Sequence, residues 1–378
     1  MVCVGLVLYT YVGYPILMWV LASLRRALFG VRQELGSALP RISLLVAAYN
    51  ERTIIRKKIG NSLSLEYEGG QLEILIGSDG SNDGTVEIAQ SYLPAARGRV
   101  LPMARRGKSW VINDLVAAAT GDILVFTDAN TMLEEDALLE LVRPFAAPDI
   151  GCVSGLLHLM PAGQHVGAKG ERSYWRYETF NKTQESEFRA VAGANGAVFA
   201  LRKELFIPLS PRTINDDLTT SMRVYLQGKR MVLVPTARAH EATAPDMSGE
   251  FRRHVRDSAG HFRALIELAG MLDPRLGMPA FCYLSHRVIR WVVPLFMVGA
   301  LLSSGILAGR PIYRELFLVQ AMAYAACVAV TPRALKGGDL GPFRVPFYFV
   351  LVNVAIVFGF FRFLSGTQTA KWEPTARA

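Results

Sequence analysis

The chain has 378 residues, enough for two or three domains, with 51% hydrophobic and only 19% charged residues. Its formal net charge is +9, but the arginines flank apolar runs, which points to membrane flanks and away from nucleic acid as a partner. Cys3, Cys152, Cys282 and Cys327 are scattered without metal-ligand spacing, so a reducing, cytosol-facing chain without disulfides is expected.

Val2 to Leu24 carries no charge and is long enough to cross a bilayer. Arg25 and Arg26 follow it, and no positive charge precedes it. That order predicts a retained helix with its N-terminus outside, not a cleaved leader. A buried helix of a soluble protein is the plainer alternative.

Residues 41–274 then alternate strand-like and helix-like runs. Ile42–Ala47, Leu72–Gly77 and Asp122–Phe126 read as short buried strands. Lys108–Ala119 and Glu134–Phe145 read as helices, as does Thr85–Ser91. This order predicts an α/β domain with a mainly parallel, Rossmann-like sheet. Ligands of such sheets collect beyond the carboxyl ends of the strands. The first strand runs out into Ala47-Ala-Tyr-Asn-Glu51, the second into Ser78-Asp-Gly-Ser-Asn-Asp-Gly-Thr85 and the third into Asp128-Ala-Asn130. Each alone is ordinary turn chemistry; three acidic strand ends on one rim exceed what turns require.

Further on, Ile214-Asn-Asp-Asp217 precedes an amphipathic helix, Leu218–Gln227. Phe251, Val255, Ala259 and Phe262 share one helical face, with arginines on another, a pattern suited to a membrane interface. Three further spans are expected, roughly Val288–Ala308, Glu315–Val330 and Pro346–Leu364, preceded by a shallow surface entry over Pro279–Arg287. Arg333, Lys336 and Arg344 suit the cytosol; Lys371, Trp372 and Arg377 in the tail would then lie outside, against the positive-inside rule. The expected organisation is a membrane helix over 1–26, a cytosolic domain over 41–274, an interface helix with about three spans over 275–366, and a tail over 367–378.

The ordered set "VAAYNE … IGSDGSNDGT … RRGKSWVIN … FTDANT … GANGAVFALRKELF … INDD … RRHVRDSAG" resembles membrane-bound family 2 glycosyltransferases of the GT-A fold, relatives of cellulose, hyaluronan and poly-N-acetylglucosamine synthases. The resemblance covers nearly the whole chain. It implies inverting transfer of a sugar from a nucleotide diphosphate, UDP foremost, to a lipid-linked or polysaccharide acceptor at the cell inner membrane. By the same resemblance Asn50, Glu51, Asp79 and Lys108 bind the nucleotide sugar. Lys108 opens a helix, a natural place to meet anionic oxygens. Asp128 and Asn130 stand where the family carries Asp-x-Asp, and would hold Mg²⁺ or Mn²⁺ against the phosphates. Here an amide replaces the second carboxylate, which weakens the metal unless the diphosphate supplies most ligands.

Asp217 aligns with the family's general base. Asp216 would orient the acceptor or raise the pKa of its neighbour. Asn195, in Gly193-Ala-Asn-Gly196, would bond an acceptor hydroxyl; a plain tight turn is the alternative. Glu178 is placed near the acceptor path and Glu241 near the pocket mouth. Asp83 is read as a helix cap, and Arg105 and Arg106 as surface charges. Processive relatives carry Gln-x-x-Arg-Trp where this chain has Arg253-His-Val-Arg256-Asp257. Arg253 and Arg256 would keep the diphosphate contact, but the stacking Trp is missing. A processive synthase that exports its own glycan is therefore the second reading, requiring a homodimer or an export partner. A non-catalytic scaffold that binds nucleotide sugar is the rival of another class. No zinc motif, nucleophile elbow or internal repeat supports hydrolysis or transport.

Overall fold

The computed structural model describes residues 1–30, 39–67, 69–160, 166–242 and 247–369; Lys371, Trp372 and Arg377 lie outside these. Near-continuous apolar runs make strands that are buried on both faces. In β1 (Ile42–Ala48), Leu44 and Val46 enter one core layer and Leu45 the other. The same two layers receive Ile74 and Leu75 of β2 (Leu72–Asp79), and Val125 and Leu124 of β4 (Ile123–Asp128). Each such aliphatic side chain contributes roughly 1.5–3 kcal/mol, so the rim above these strands rests on a fixed platform.

The sheet has eight strands in the order β3-β2-β1-β4-β7-β6-β8-β5. The remaining strands are β3 (Gly98–Met103), β5 (Met132–Leu133), β6 (Ile150–Met160), β7 (Phe199–Arg202) and β8 (Arg230–Ala242). β3, β2, β1 and β4 run parallel, and β7 returns antiparallel between β4 and β6. The sheet is thus mixed, with its parallel part where the sequence implied it. The chain builds outward from β1 to β2 and β3, then crosses back to β4 on the other side of β1. That reversal makes a crevice at the carboxyl ends of β1 and β4.

The apolar N-terminal run forms α1 (Val2–Leu8), a π turn (Tyr9–Gly13) and α2 (Tyr14–Phe29), together one span-length helix. Within the α/β part lie α3 (Ile55–Leu63), α4 (Thr85–Tyr92), α5 (Lys108–Ala118), α6 (Ala137–Val142), α7 (Val166–Ser186), α8 (Asp216–Leu226) and α9 (Met247–Glu267). Three more helices are long and apolar enough to cross a membrane: Met278–Ile306, Pro311–Leu335 and Gly341–Leu364. The first is α10 (Met278–Cys282), a π turn (Tyr283–Val288) and α11 (Ile289–Ile306); the others contain α12 (Pro311–Leu335) and α13 (Arg344–Leu364).

Two expectations are corrected here. Pro279–Arg287 is no separate surface entry but the start of a continuous helix, with Cys282, Tyr283 and His286 buried. The apolar face of α9 does not lie open to a membrane interface; α13 covers it. Gly359 sits so close to α9 that an added Cβ would stand 2.8 Å from both the Ala259 nitrogen and the Val255 oxygen. Around that contact Phe251 packs on Phe358, and Phe262 on Phe360.

Candidate active site

The register of the parallel strands brings the polar strand ends together. Ala47 of β1 lies opposite Gly77 of β2 and Asp128 of β4, so the loops after β1 and β2 leave the sheet beside the end of β4. The first two loops are laced to each other. Asn50, at φ +53, accepts the Asn82 amide at 3.0 Å and donates its own to Ser81 Oγ at 3.0 Å. Asn is among the few residues that tolerate this backbone region. Glu51 donates its amide to Thr85 Oγ1 at 2.9 Å. Asp83 takes the Thr85 amide and the Arg52 amide, both at 3.0 Å, and so braces the start of α4 against the loop after β1. Burial opposes its ionisation, but these bonds hold its pKa below the usual carboxylate range.

Asp79 is fully buried and shapes the next turn. Its carboxylate accepts the Arg106 amide at 2.7 Å and the Gly107 amide at 2.9 Å. Arg105 closes over it, 3.9 Å from Asp79 and with its guanidinium 3.2 Å from the Tyr49 ring centre. Arg105 is therefore not the surface charge expected of it. A base or ribose reaching Asp79 has to displace that side chain.

The turn delivers Lys108 to the first position of α5. Its ammonium lies 3.0 Å from Asp128 Oδ1 and 3.4 Å from Asp216 Oδ2. Burial alone would lower the Lys108 pKa; Asp128, Asp216 and Asp217 together raise it well above the ordinary lysine value. Asp216 is pushed up to about 6, first by burial and then by Asp217 and Asp128, with Lys108 opposing. Asp216 and Asp217 occupy the first turn of α8, where the helix dipole favours acids. Lys108 thus ties the end of β4 to the start of α8, close enough for Asp217 to act on its charge as well.

Below the cleft is a residue that the sequence reading passed over. Lys58 of α3 is fully buried, and its ammonium donates to Thr127 Oγ1 at 2.9 Å and the Thr131 carbonyl at 2.6 Å. Burial lowers its pKa to about 7, with Asp128 opposing. Its signal was positional: Lys58 lies between Ile55 and Ser62 on the buried face of α3. Above it, the Asn130 amide nitrogen donates to Glu241 at 3.4 Å and Thr131 Oγ1 donates to the same carboxylate at 3.3 Å. Asp128, the Asn130 carbonyl and Glu241 offer only oxygen donors, the set that suits hard divalent ions. Among the described residues no group of three or more His, Cys, Asp or Glu could hold a metal. The donor set fits a cation that brings most of its ligands with it.

Asn195 departs from expectation. It is buried, its Oδ1 accepts Lys182 at 2.6 Å, and its Nδ2 donates to the Gly155 carbonyl at 2.6 Å. Each end of the amide makes a bond inside the protein, so Asn195 braces the Gly193–Gly196 loop. The loop itself matters through Gly196. A Cβ there would stand 2.9 Å from Asp217 Oδ2 and 3.1 Å from its Cγ. Gly196→Ala is expected to displace the Asp217 carboxylate and lower kcat roughly 10²-fold, the cost of a misplacement near 1 Å, with little change in Tm. Steady-state kinetics beside a melting curve check this.

Arg256 meets Asp257 at 3.1 Å on α9. Burial opposes ionisation of Asp257, while Arg256 and Arg253 lower its pKa. Glu178 is buried among His286 at 3.2 Å, Arg287 at 3.2 Å and Arg290, where α7 meets the Met278–Ile306 helix.

Residues 40–260 match the family described as "Glycosyltransferase like family 2". The chain is 28% identical over 202 residues to a beta-monoglucosyldiacylglycerol synthase of Trichormus variabilis, covering 52% of this chain and 43% of that protein. It is 25% identical over 230 residues to a poly-beta-1,6-N-acetyl-D-glucosamine synthase of Staphylococcus aureus, covering 60% of this chain and 55% of the other. The matches span about half the length of these curated relatives. Among solved structures, the mannosyltransferase PcManGT from Pyrobaculum calidifontis, in complex with GDP-Man and Mn²⁺, superposes with a TM-score of 0.71 at 21% identity. That likeness covers 96% of this chain and 97% of the other, and it establishes the fold as GT-A.

Proposed function

The chain belongs to the glycosyltransferase-like family 2, and from that premise we propose an inverting enzyme that passes a sugar from a nucleotide diphosphate, UDP foremost, to a lipid-linked or glycan acceptor. Its product is a cell-surface polysaccharide or the lipid-linked precursor of one. Residues 41–274 face the cytosol, and the helices over 1–26 and 275–366 hold the enzyme in the inner membrane. The observation that carries this reading is Lys108, which joins Asp128 to the acids that open α8. One cleft then serves both the departing diphosphate and the attacking hydroxyl.

Asn50, Glu51 and Asp79 frame the nucleotide, with Arg105 withdrawn from Tyr49. Lys108, already positive beside Asp128, meets the phosphates at the amino end of α5. Mg²⁺ or Mn²⁺, held by Asp128 and Asn130, would offset the negative charge of the diphosphate. The acceptor hydroxyl gives its proton to Asp217, and its oxygen bonds to the anomeric carbon. The bond from that carbon to the diphosphate breaks with its electron pair, and Lys108, Arg253 and Arg256 receive the charge. Attack from the opposite face inverts the sugar. Asp216, paired with Lys108, orients the acceptor.

Similarity to a poly-N-acetylglucosamine synthase favours a second reading, processive synthesis with export. Four span-length helices leave little room for a channel, so that reading also needs a second copy or an export partner.

The test is a donor screen. Purified protein receives UDP-, GDP- and dTDP-sugars with Mg²⁺ or Mn²⁺, and nucleotide release is followed with and without lipid-linked acceptors. Release from a UDP-sugar, stimulated by an acceptor, is expected; no release from any donor overturns the reading. In the same assay Asn130→Asp is expected to reach half-maximal rate at a lower metal concentration, because a carboxylate adds charge to the ligand set. An inactive variant would show that the amide itself is required.

A further inference from the structure

A cavity of ≈250 Å³ lies on the membrane side, between the π turn at Tyr9–Gly13 and helices α7, α9, α11 and α13. Its walls are aromatic and aliphatic, with Tyr11, Tyr177, Trp291, Tyr348 and Val352 among them. Its two arginines share one counter-charge, Glu178, which is not among the lining residues. Arg287 and Arg290 line it, and no acid does among the described residues. Arg290 is 7% exposed; its Nη2 is turned to Glu178 and its Nε donates to the His286 carbonyl at 3.2 Å. Arg290 Nη1 is buried with no partner among the described residues, and so is Nδ1 of His261, which also lines the cavity. A buried guanidinium N–H without an acceptor is costly, and an apolar chamber that presents one is built to receive an anion.

The cavity backs onto the proposed reaction cleft through two contacts. Arg287 donates from Nε to the Ala192 carbonyl at 2.6 Å, and its Nη2 would lie 3.6 Å from a Cβ at Gly193. That loop continues to Gly196, against Asp217. On the other side, α9 brings His261 to the cavity while Gly260 packs against Asn215, the residue that precedes Asp216.

We propose that this cavity binds the phosphate-bearing headgroup of a lipid, with the phosphate on Arg290 and Arg287 and the first part of the chain along the aromatic wall. The inference deepens the proposed function and rests on its lipid-linked acceptor: it makes that acceptor a lipid phosphate or diphosphate, not a neutral diglyceride.

Binding is measured on the full chain in detergent, with no nucleotide sugar present. The probes are farnesyl phosphate, farnesol, dioctanoylglycerol and inorganic phosphate. Farnesyl phosphate is expected to bind at least about tenfold more tightly than either neutral lipid, the order of one charge-assisted hydrogen bond. Arg290→Lys keeps a cation for Glu178 but cannot extend a second nitrogen, and is expected to weaken binding by a similar factor. Val352→Trp fills the chamber without touching the ion pairs, and is expected to remove binding; a melting curve for each variant shows that it is folded. Equal binding of farnesol, or full retention in folded Val352→Trp, overturns the inference. So does displacement by inorganic phosphate at the concentration where farnesyl phosphate itself saturates, which would mark a free-anion site. A wild-type protein that binds farnesyl phosphate yet transfers no sugar from any donor sustains this inference and defeats the transferase reading. One that glycosylates dioctanoylglycerol without binding farnesyl phosphate does the reverse.

Discussion

Asp217→Asn is expected to lower kcat by about 10²–10⁴-fold, the usual contribution of a positioned general base, while donor affinity stays near that of the wild type. Asn matches Asp in volume, so the contact with Gly196 and the start of α8 are kept. What is lost is the capacity to accept a proton. The neighbouring acid cannot take over. Asp216 has Lys108 3.4 Å away, so its charge is engaged in holding α8 to β4. Nucleotide release under saturating donor, with donor binding followed by calorimetry, separates the two effects. Wild-type turnover in Asp217→Asn would refute the base assignment outright. A loss of donor binding equal to the loss of rate would instead place Asp217 on the donor.

The sheet and its rim were legible because both follow from short-range patterns. Near-continuous apolar runs fix β1, β2 and β4, and polar residues then fall at the carboxyl ends. β3 was not legible: Gly98–Met103 is half exposed and carries Pro102, so it lacks the apolar run of its neighbours. The misplaced side chains share a cause. Lys58, Arg105 and Asn195 are polar groups whose burial depends on partners far away in sequence. Thr127 and Thr131 receive Lys58, Tyr49 lies beneath Arg105, and Gly155 and Lys182 hold Asn195. Reading the sequence alone sends a charge to solvent unless a partner is in view, because an unpaired buried charge is prohibitive. The apolar face of α9 was read correctly as a face, but its cover was misassigned; Gly359 decides that, and a glycine inside an apolar helix gives no sign of what approaches it. The four span-length helices were legible from composition, except that the second begins ten residues earlier than expected, at Met278 instead of Val288.

Glu178→Ala is expected to cost roughly 3–5 kcal/mol of stability, the range for breaking a buried ion pair by removing one partner. Glu178 is 3% exposed and takes Arg287 on one oxygen, His286 and Arg290 on the other. Burial raises its pKa, but the two guanidiniums and His286 together bring it well below the ordinary carboxylate value. The sign follows: this stabilisation is present above the unfolded pKa and is lost as pH falls through the depressed folded value. Without the carboxylate, two arginines remain buried between α7 and the Met278–Ile306 helix with no direct counter-charge. Glu185 cannot substitute, because it already holds Tyr14 at 2.6 Å, His286 at 2.6 Å and the Ala192 amide at 2.8 Å. Unfolding followed in detergent measures the loss, and Glu178→Gln separates charge from shape. Pairing Glu178→Gln with Arg290→Met should recover a large part of it, since an apolar replacement of a whole buried pair is often close to neutral. A Glu178→Ala protein within about 1 kcal/mol of wild type, the size of an exposed pair, would mean that water reaches these arginines. Activity should fall further than stability alone requires. Arg287 also holds the Ala192 carbonyl, and through it the loop that ends at Gly196 beside Asp217. The ion cluster around Glu178 and the Asp217 carboxylate are thus coupled through five residues of backbone.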